Sequence, residues 1–189
     1  MNDVDEGFKY VGFFKRFLAY LIDLIIFLPF LPLFNLLLRL SYERRSLLPY
    51  LVPLAIAYAL LVFLVVKYGG TPGKLLLRLR IVDQKGQYLS IPAALIRMSP
   101  LLVASLLYTS ALSRTLTLMS SSEIPHSFLE FGAATLKYGG VFQKVSEYWN
   151  FLLIVDPVAI FFNQRRRALH DFLAGSFVVS RGWHSRDSA

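Results

Sequence analysis

Residues 17 to 38 read FLAYLIDLIIFLPFLPLFNLLL. Eighteen of these 22 positions are apolar, and Asp23 is the one charge among them. A helix of that length is about 33 Å long, enough to cross a hydrocarbon core of about 30 Å. The next apolar stretch, LLPYLVPLAIAYALLVFLVV at positions 47–66, has 18 apolar positions in 20 and no charge. A soluble helical hairpin would need other segments to cover both helices on every side, and the sequence offers none. Lipid is the solvent these two segments suit.

Two more segments extend the pattern. Ile91–Leu112 has 15 apolar positions in 22. Ser90 can cap its start, and Pro92 falls in the first turn, where a missing N–H costs nothing. Arg97, one and a half turns in, is expected to snorkel toward the nearer interface. Tyr148–Phe162 is shorter, at 15 residues, and is interrupted by Asp156-Pro157. It spans if its helix begins near Val141 or if it is broken within the membrane. The prediction is an all-α membrane protein of about four transmembrane helices with a small cytoplasmic hairpin or β element. Its spans lie near 15–38, 47–66, 91–112 and 143–163, in one domain over 1–189. Loop 67–90 and tail 164–189 are cytoplasmic, and loop 113–142 lies outside. Asp3, Asp5 and Glu6 stand where a cleavable signal carries basic residues, so span one reads as an uncleaved anchor.

Composition agrees. Of 189 residues 56% are hydrophobic and only 17% charged, with a net charge of +8, whereas soluble domains carry roughly 25% charged residues. The absence of cysteine excludes disulfides, thiolate metal sites and cysteine nucleophiles. Of the 20 Lys and Arg, 14 precede span one, lie between span two and Arg97, or follow span four. The other six lie in the first and third loops, so the positive-inside rule puts both termini in the cytoplasm. Lys74, Arg78, Arg80, Arg165, Arg166 and Arg167 are expected to contact anionic lipid headgroups. The sequence has no nucleic-acid-binding motif.

Between spans two and three, Tyr68-Gly-Gly-Thr-Pro-Gly73 is a dense turn signal. Lys74–Leu79 reads as an interfacial helix turn or a strand. Ile81-Val-Asp83 and Gln87-Tyr-Leu89 flank a Gly-containing turn and read as a short hairpin. Ser176-Phe-Val-Val-Ser180 has strand composition and follows Gly175, a helix stop. A β element pairing these pieces is expected, and Phe128–Tyr138 is expected to form an amphipathic piece on the outer surface.

Gly70-Thr-Pro-Gly73-Lys74 is not a phosphate loop, since Tyr68 stands at the first glycine position and Leu75 follows the lysine. Three histidines do not make a metal site in this spacing, and no nucleophile–base arrangement points to an enzyme; no cofactor is expected. The acids in apolar stretches are more informative, because a carboxylate at the centre of a spanning helix costs about 2.5–3.5 kcal/mol or more. Arg16 and Asp23 lie seven residues apart, on one helix face but about 10 Å apart along the axis, so Asp23 needs a partner from another helix. Pro29 and Pro32 free the carbonyls of Ile25 and Leu28 one turn beyond it. Asp156 can cap a half-helix beginning at Pro157. Carboxylates beside freed carbonyls resemble the ion sites of transporters. The alternative is that Asp23 and Asp156 pair with arginines and lock the bundle.

The blocks carrying these residues resemble one family. Phe14-Lys-Arg16-Phe-Leu-Ala-Tyr-Leu-Ile-Asp23 resembles the opening helix of the RDD family of bacterial membrane proteins. Gly70–Lys74 with Leu79-Arg-Ile-Val-Asp83, Gly86 and Ser90–Arg97 is similar to its middle segment, and Arg167–Val179 to its closing one. The loop near Ser113–Lys144 carries no resemblance. Pro72 and Ser176 depart from the commoner leucine and threonine. The resemblance assigns the family's arginine to Arg16, its first aspartate to Asp23, and its second to Asp171, with Asp83 as the competing assignment. It implies a bacterial inner-membrane protein suspected of transport, some members being linked to sodium/proton exchange. Two functions follow as expectations. One is an oligomeric cation or proton transporter using Asp23, with Arg16 setting its protonation and Asp171 as partner or gate. The other is a non-transporting subunit or adaptor of a larger membrane complex.

Overall fold

The computed structural model describes residues 9–120 and 123–180. The acidic start Met1–Glu6, Ser121, Ser122, Arg181, His184 and Arg186 lie outside them. Four helical stretches are long and apolar enough to cross a membrane: Phe13–Glu43, Leu48–Leu76, Ile91–Leu118 and Gly140–Phe162.

Three of the four change conformation where the sequence places proline. The first runs as α1 (Phe13–Phe27), a 3-10 turn (Leu28–Phe30) and α2 (Leu31–Glu43). Pro29 and Pro32 lack the N–H that would continue an α-helical ladder there. The second is α3 (Leu48–Tyr68), ended by Gly69 at φ 73°. Thr71 is extended, and Pro72 opens the short α4 (Pro72–Leu76). The fourth is α7 (Gly140–Val155), which passes into a 3-10 segment at Asp156–Phe162. Both expected routes to a fourth span are therefore realised: the helix starts earlier and breaks at Asp156. The third, α5 (Ile91–Leu118), is continuous despite Pro100 and runs six residues past its expected end.

The chain divides into two units. One comprises residues 1–26, 59–99 and 154–189, so it contains the starts of spans one and three and the ends of spans two and four. Its sheet pairs β1 (Leu79–Val82) antiparallel with β2 (Phe177–Ser180), Leu79 opposite Ser180 and Val82 opposite Phe177. Tyr10 bridges to Val179, and Val11 N–H donates to the Val178 carbonyl at 3.0 Å. With partners on both sides, β2 is buried at Phe177, Val178 and Val179. This corrects the hairpin expected within 81–89. The turn is present, closed by Gly86 N–H to the Asp83 carbonyl at 3.1 Å, but residues 87–89 form no strand. β1 instead takes the tail strand as its partner, because Phe177-Val-Val179 brings the larger apolar area into the core.

The other unit comprises residues 27–58 and 100–153. Its core gathers Leu38, Tyr42, Tyr50, Leu112, Leu116, Met119 and Phe131. Phe131 comes from α6 (Phe128–Tyr138), which Ser127 caps by accepting the Glu130 N–H. Tyr42 and Phe131 stack with ring centroids 5.2 Å apart.

Candidate functional site

The first unit holds a polar cluster built around Asp171, which sits in α8 (Leu169–Leu173) and is fully buried. Both carboxylate oxygens are taken. Arg16 Nη1 donates to Oδ2 at 2.5 Å, and the Ala168 N–H reaches the same oxygen at 3.1 Å. Arg97 Nη1 donates to Oδ1, and the Ser176 hydroxyl lies 3.4 Å from it. Burial alone would push the Asp171 carboxyl up. The Arg97 and Arg16 guanidiniums beside it, with the Arg16 hydrogen bond, outweigh that and hold it well below the usual carboxylate range.

The two arginines come from different spans. Arg16, on the second turn of α1, also donates through Nε to the Val11 carbonyl at 3.0 Å and through Nη2 to the Arg166 carbonyl at 2.5 Å. Arg97, on the second turn of α5, gives Ser176 Oγ a second bond at 2.7 Å. The expectation that Arg97 snorkels outward is therefore overturned: it is 8% exposed, because a buried carboxylate and a hydroxyl lie within its reach. A single acid thus ties the starts of spans one and three to the tail.

Among the described residues, Asp156 neither caps its own 3-10 segment nor pairs with an arginine. Its Oδ1 accepts the His170 backbone N–H at 2.8 Å and its Oδ2 lies 2.5 Å from His170 Nδ1, so it serves the first turn of α8. His170 Nε2 is 3.1 Å from Arg97 Nη2. Asn163 pins the intervening turn, its amide bonding the Ala159 and Arg167 carbonyls and its Oδ1 accepting the Arg167 N–H.

Asp23 occupies a second position, ten residues into α1. Thr71 Oγ1 donates to its Oδ2 at 2.6 Å and the Gly73 N–H to its Oδ1 at 2.6 Å. Asp23 is thus partnered from span two, as its isolation on α1 requires, but by neutral donors. Arg16 bonds Asp171 instead. Gly73 is needed here: a Cβ at this position would collide with the Ala19 carbonyl oxygen and stand 3.0 Å from Asp23 Cγ.

The remaining sequence candidates separate. Asp83 is a turn residue, its Oδ1 accepting the N–H groups of Lys85 and Gln87. Lys74 is half-buried with Nζ 3.4 Å from Thr71 Oγ1, and Arg167 is buried over the rings of Phe172 and Phe177. Arg78, Arg165 and Arg166 are exposed and Arg80 is half-buried. Among the described residues no group of three His, Asp or Glu side chains could hold a metal ion. Sequence reasoning missed the roles of Arg97, His170, Thr71 and Ser176. Arg97 carried a signal, being a charge inside an apolar helix just as Asp23 is.

Four helices long and apolar enough to cross a membrane, with buried charged residues among them, mark the chain as a small multi-span membrane protein. The RDD family model matches residues 10–175, and the chain belongs to the RDD family. No curated protein and no solved structure matches it.

Proposed function

We propose that this RDD-family membrane protein moves protons or small cations across the bacterial cytoplasmic membrane, with Asp23 as the ion-binding carboxylate. One observation carries the reading. Asp23 is buried within a spanning segment, its bonds come from a hydroxyl and a backbone N–H, and the nearby charge of Lys74 reaches it through Thr71, whose Oγ1 lies 3.4 Å from Lys74 Nζ, with no direct ion pair among the described residues. An intramembrane carboxylate in that condition marks an ion or proton path by default. Its partners lie at the break between α3 and α4, and broken helices line the ion sites of transporters. In this reading Arg16 and Asp171 hold the surrounding segments and bind no ion. Both termini lie in the cytoplasm in this reading, which the sided basic charge supports, and the exposed Arg78, Arg165 and Arg166 are available to anionic headgroups. Four spans make a thin bundle, so self-association into a homo-oligomer belongs to the proposal, as does the absence of an enzymatic role. The test is pH-dependent flux of a panel of cations in proteoliposomes. Asp23→Asn is expected to abolish it, and unchanged flux refutes the assignment.

A second reading is favoured by Asp171, whose two oxygens are filled by two arginines, a backbone N–H and a hydroxyl. Such an acid serves a structural lock, as in a non-transporting subunit or adaptor of a larger membrane complex. Mild-detergent purification from the native membrane discriminates. A stoichiometric unrelated partner, with no flux by the isolated chain, supports the second reading over the first.

A further inference from the structure

We infer that His170 is a proton-binding site that controls the Arg97–Asp171 clamp, separately from any ion path at Asp23. Three charged groups face its ring among the described residues: Asp156 from the 3-10 segment, Arg97 from α5 and Asp171 from α8 itself. A guanidinium has five donors and no acceptor. Nε2, 3.1 Å from Arg97 Nη2, therefore accepts and carries no proton. The ring is neutral with its proton on Nδ1, donated to Asp156 Oδ2 at 2.5 Å. Asp156 fixes that orientation by also taking the His170 backbone N–H.

Protonation at Nε2 reverses the contact. Two donors then face each other, and the Arg97–His170 hydrogen bond is lost. The acceptor within reach of the new N–H is Asp171 Oδ1 at 3.4 Å, the oxygen that already accepts from Arg97 Nη1. Imidazolium and guanidinium then compete for one oxygen, and the hold of the tail on the start of α5 weakens. Arg16, on Oδ2, keeps its own bond. The ring is 28% exposed, so protons reach it from water without unfolding. The device ties acidification to a loosening between span three and the closing helix.

The absence of cysteine permits a clean test by introduced spin labels at Leu95→Cys and Leu173→Cys, both exposed positions. In the full-length protein in lipid nanodiscs, acidification is expected to lengthen and broaden the label distance, and His170→Gln is expected to remove that shift. A shift that persists in His170→Gln overturns the proposal. Nitrogen-15 spectra of histidine-labelled protein, assigned by the signal missing in His170→Gln, add a readout that needs no variant to be functional. The Nδ1–H tautomer is expected at neutral pH and both nitrogens protonated in acid, whereas an Nε2–H tautomer refutes the inference. In an Asp23→Asn background the shift is expected to survive even where flux is lost, and its disappearance there refutes a separate proton site.

Discussion

In the unit made of residues 1–26, 59–99 and 154–189, the buried polar residues among those described are Asp23, Arg97, Asp156, Arg167, Asp171 and Ser176. In the unit made of residues 27–58 and 100–153 they are Ser41, Thr115, Thr135 and Ser146. The second set is hydroxyl throughout, and three of the four close on their own helix: Ser41 on the Leu37 carbonyl, Thr115 on that of Ala111 and Thr135 on that of Phe131. Those bonds satisfy the group without specifying a neighbour. The first set is mostly charged, and its bonds run between segments distant in sequence, Arg16 to Asp171 and Asp23 to Gly73 among them. Both units have an apolar core, but the first adds to it buried charges that need particular partners. Stability and specificity should therefore respond differently to substitution in the two.

The largest effect is expected at Asp171. Asp171→Asn keeps the shape but leaves the Arg16 and Arg97 guanidiniums without their counter-charge, and breaking a buried pair of this kind costs about 3–5 kcal/mol. Denaturant unfolding in detergent measures it, and a loss below about 1 kcal/mol would erase the contrast between the units. The pH dependence has a definite sign. The folded carboxyl titrates below its unfolded value, so its contribution is full above the ordinary carboxylate range and is lost as pH falls through the folded value. The wild type should lose that increment only in strong acid, and Asp171→Asn should lack this acid limb.

A smaller effect, about 1–3 kcal/mol by the usual cost of overpacking, is expected for Gly73→Ala. The added methyl meets the Ala19 carbonyl oxygen, so α4 must move off α1 and the Gly73 N–H retreats from Asp23. The same substitution at Gly132, inside α6 with open space around it, should instead stabilise by about 0.5–1 kcal/mol. Thermal unfolding of the two variants side by side checks whether close backbone approach is confined to the first unit.

The contrast also explains what the sequence made legible. The spans were readable because apolar length is a local property, and the Phe128–Tyr138 helix because its amphipathic pattern is local too. The blocks that resemble the family, around Arg16–Asp23, Gly70–Arg97 and Arg167–Val179, fall in the charged unit, while the stretch without resemblance, Ser113–Lys144, falls in the other. The polar partners within the charged unit were not readable. Arg16 and Asp23 share a helix face and invite pairing by spacing, yet each is satisfied by a segment more than 40 residues away. The pairing of the 79–82 stretch with the tail strand was legible from strand composition, whereas the turn at Asp83–Gly86 also suggested a local hairpin that does not form.

Phe131→Leu provides the smallest expected effect and the sharpest control. Phe131 is 1% exposed and stacks on Tyr42 at an interplanar angle of 15°, so the substitution removes an aromatic pair while keeping an apolar side chain of similar bulk. Apolar swaps of this kind cost less than about 1.5 kcal/mol, and an aromatic pair contributes about 0.5–1.5 kcal/mol beyond its area. A leucine stays among the apolar side chains of the same core, whereas the Asp171→Asn change removes a charge that two arginines face. Its pH profile should follow the wild type, because no ionised group touches the ring stack. Should Phe131→Leu lose as much stability in thermal unfolding as Asp171→Asn, the aromatic unit would be as exacting as the charged one, and the division between contact and charge would fail.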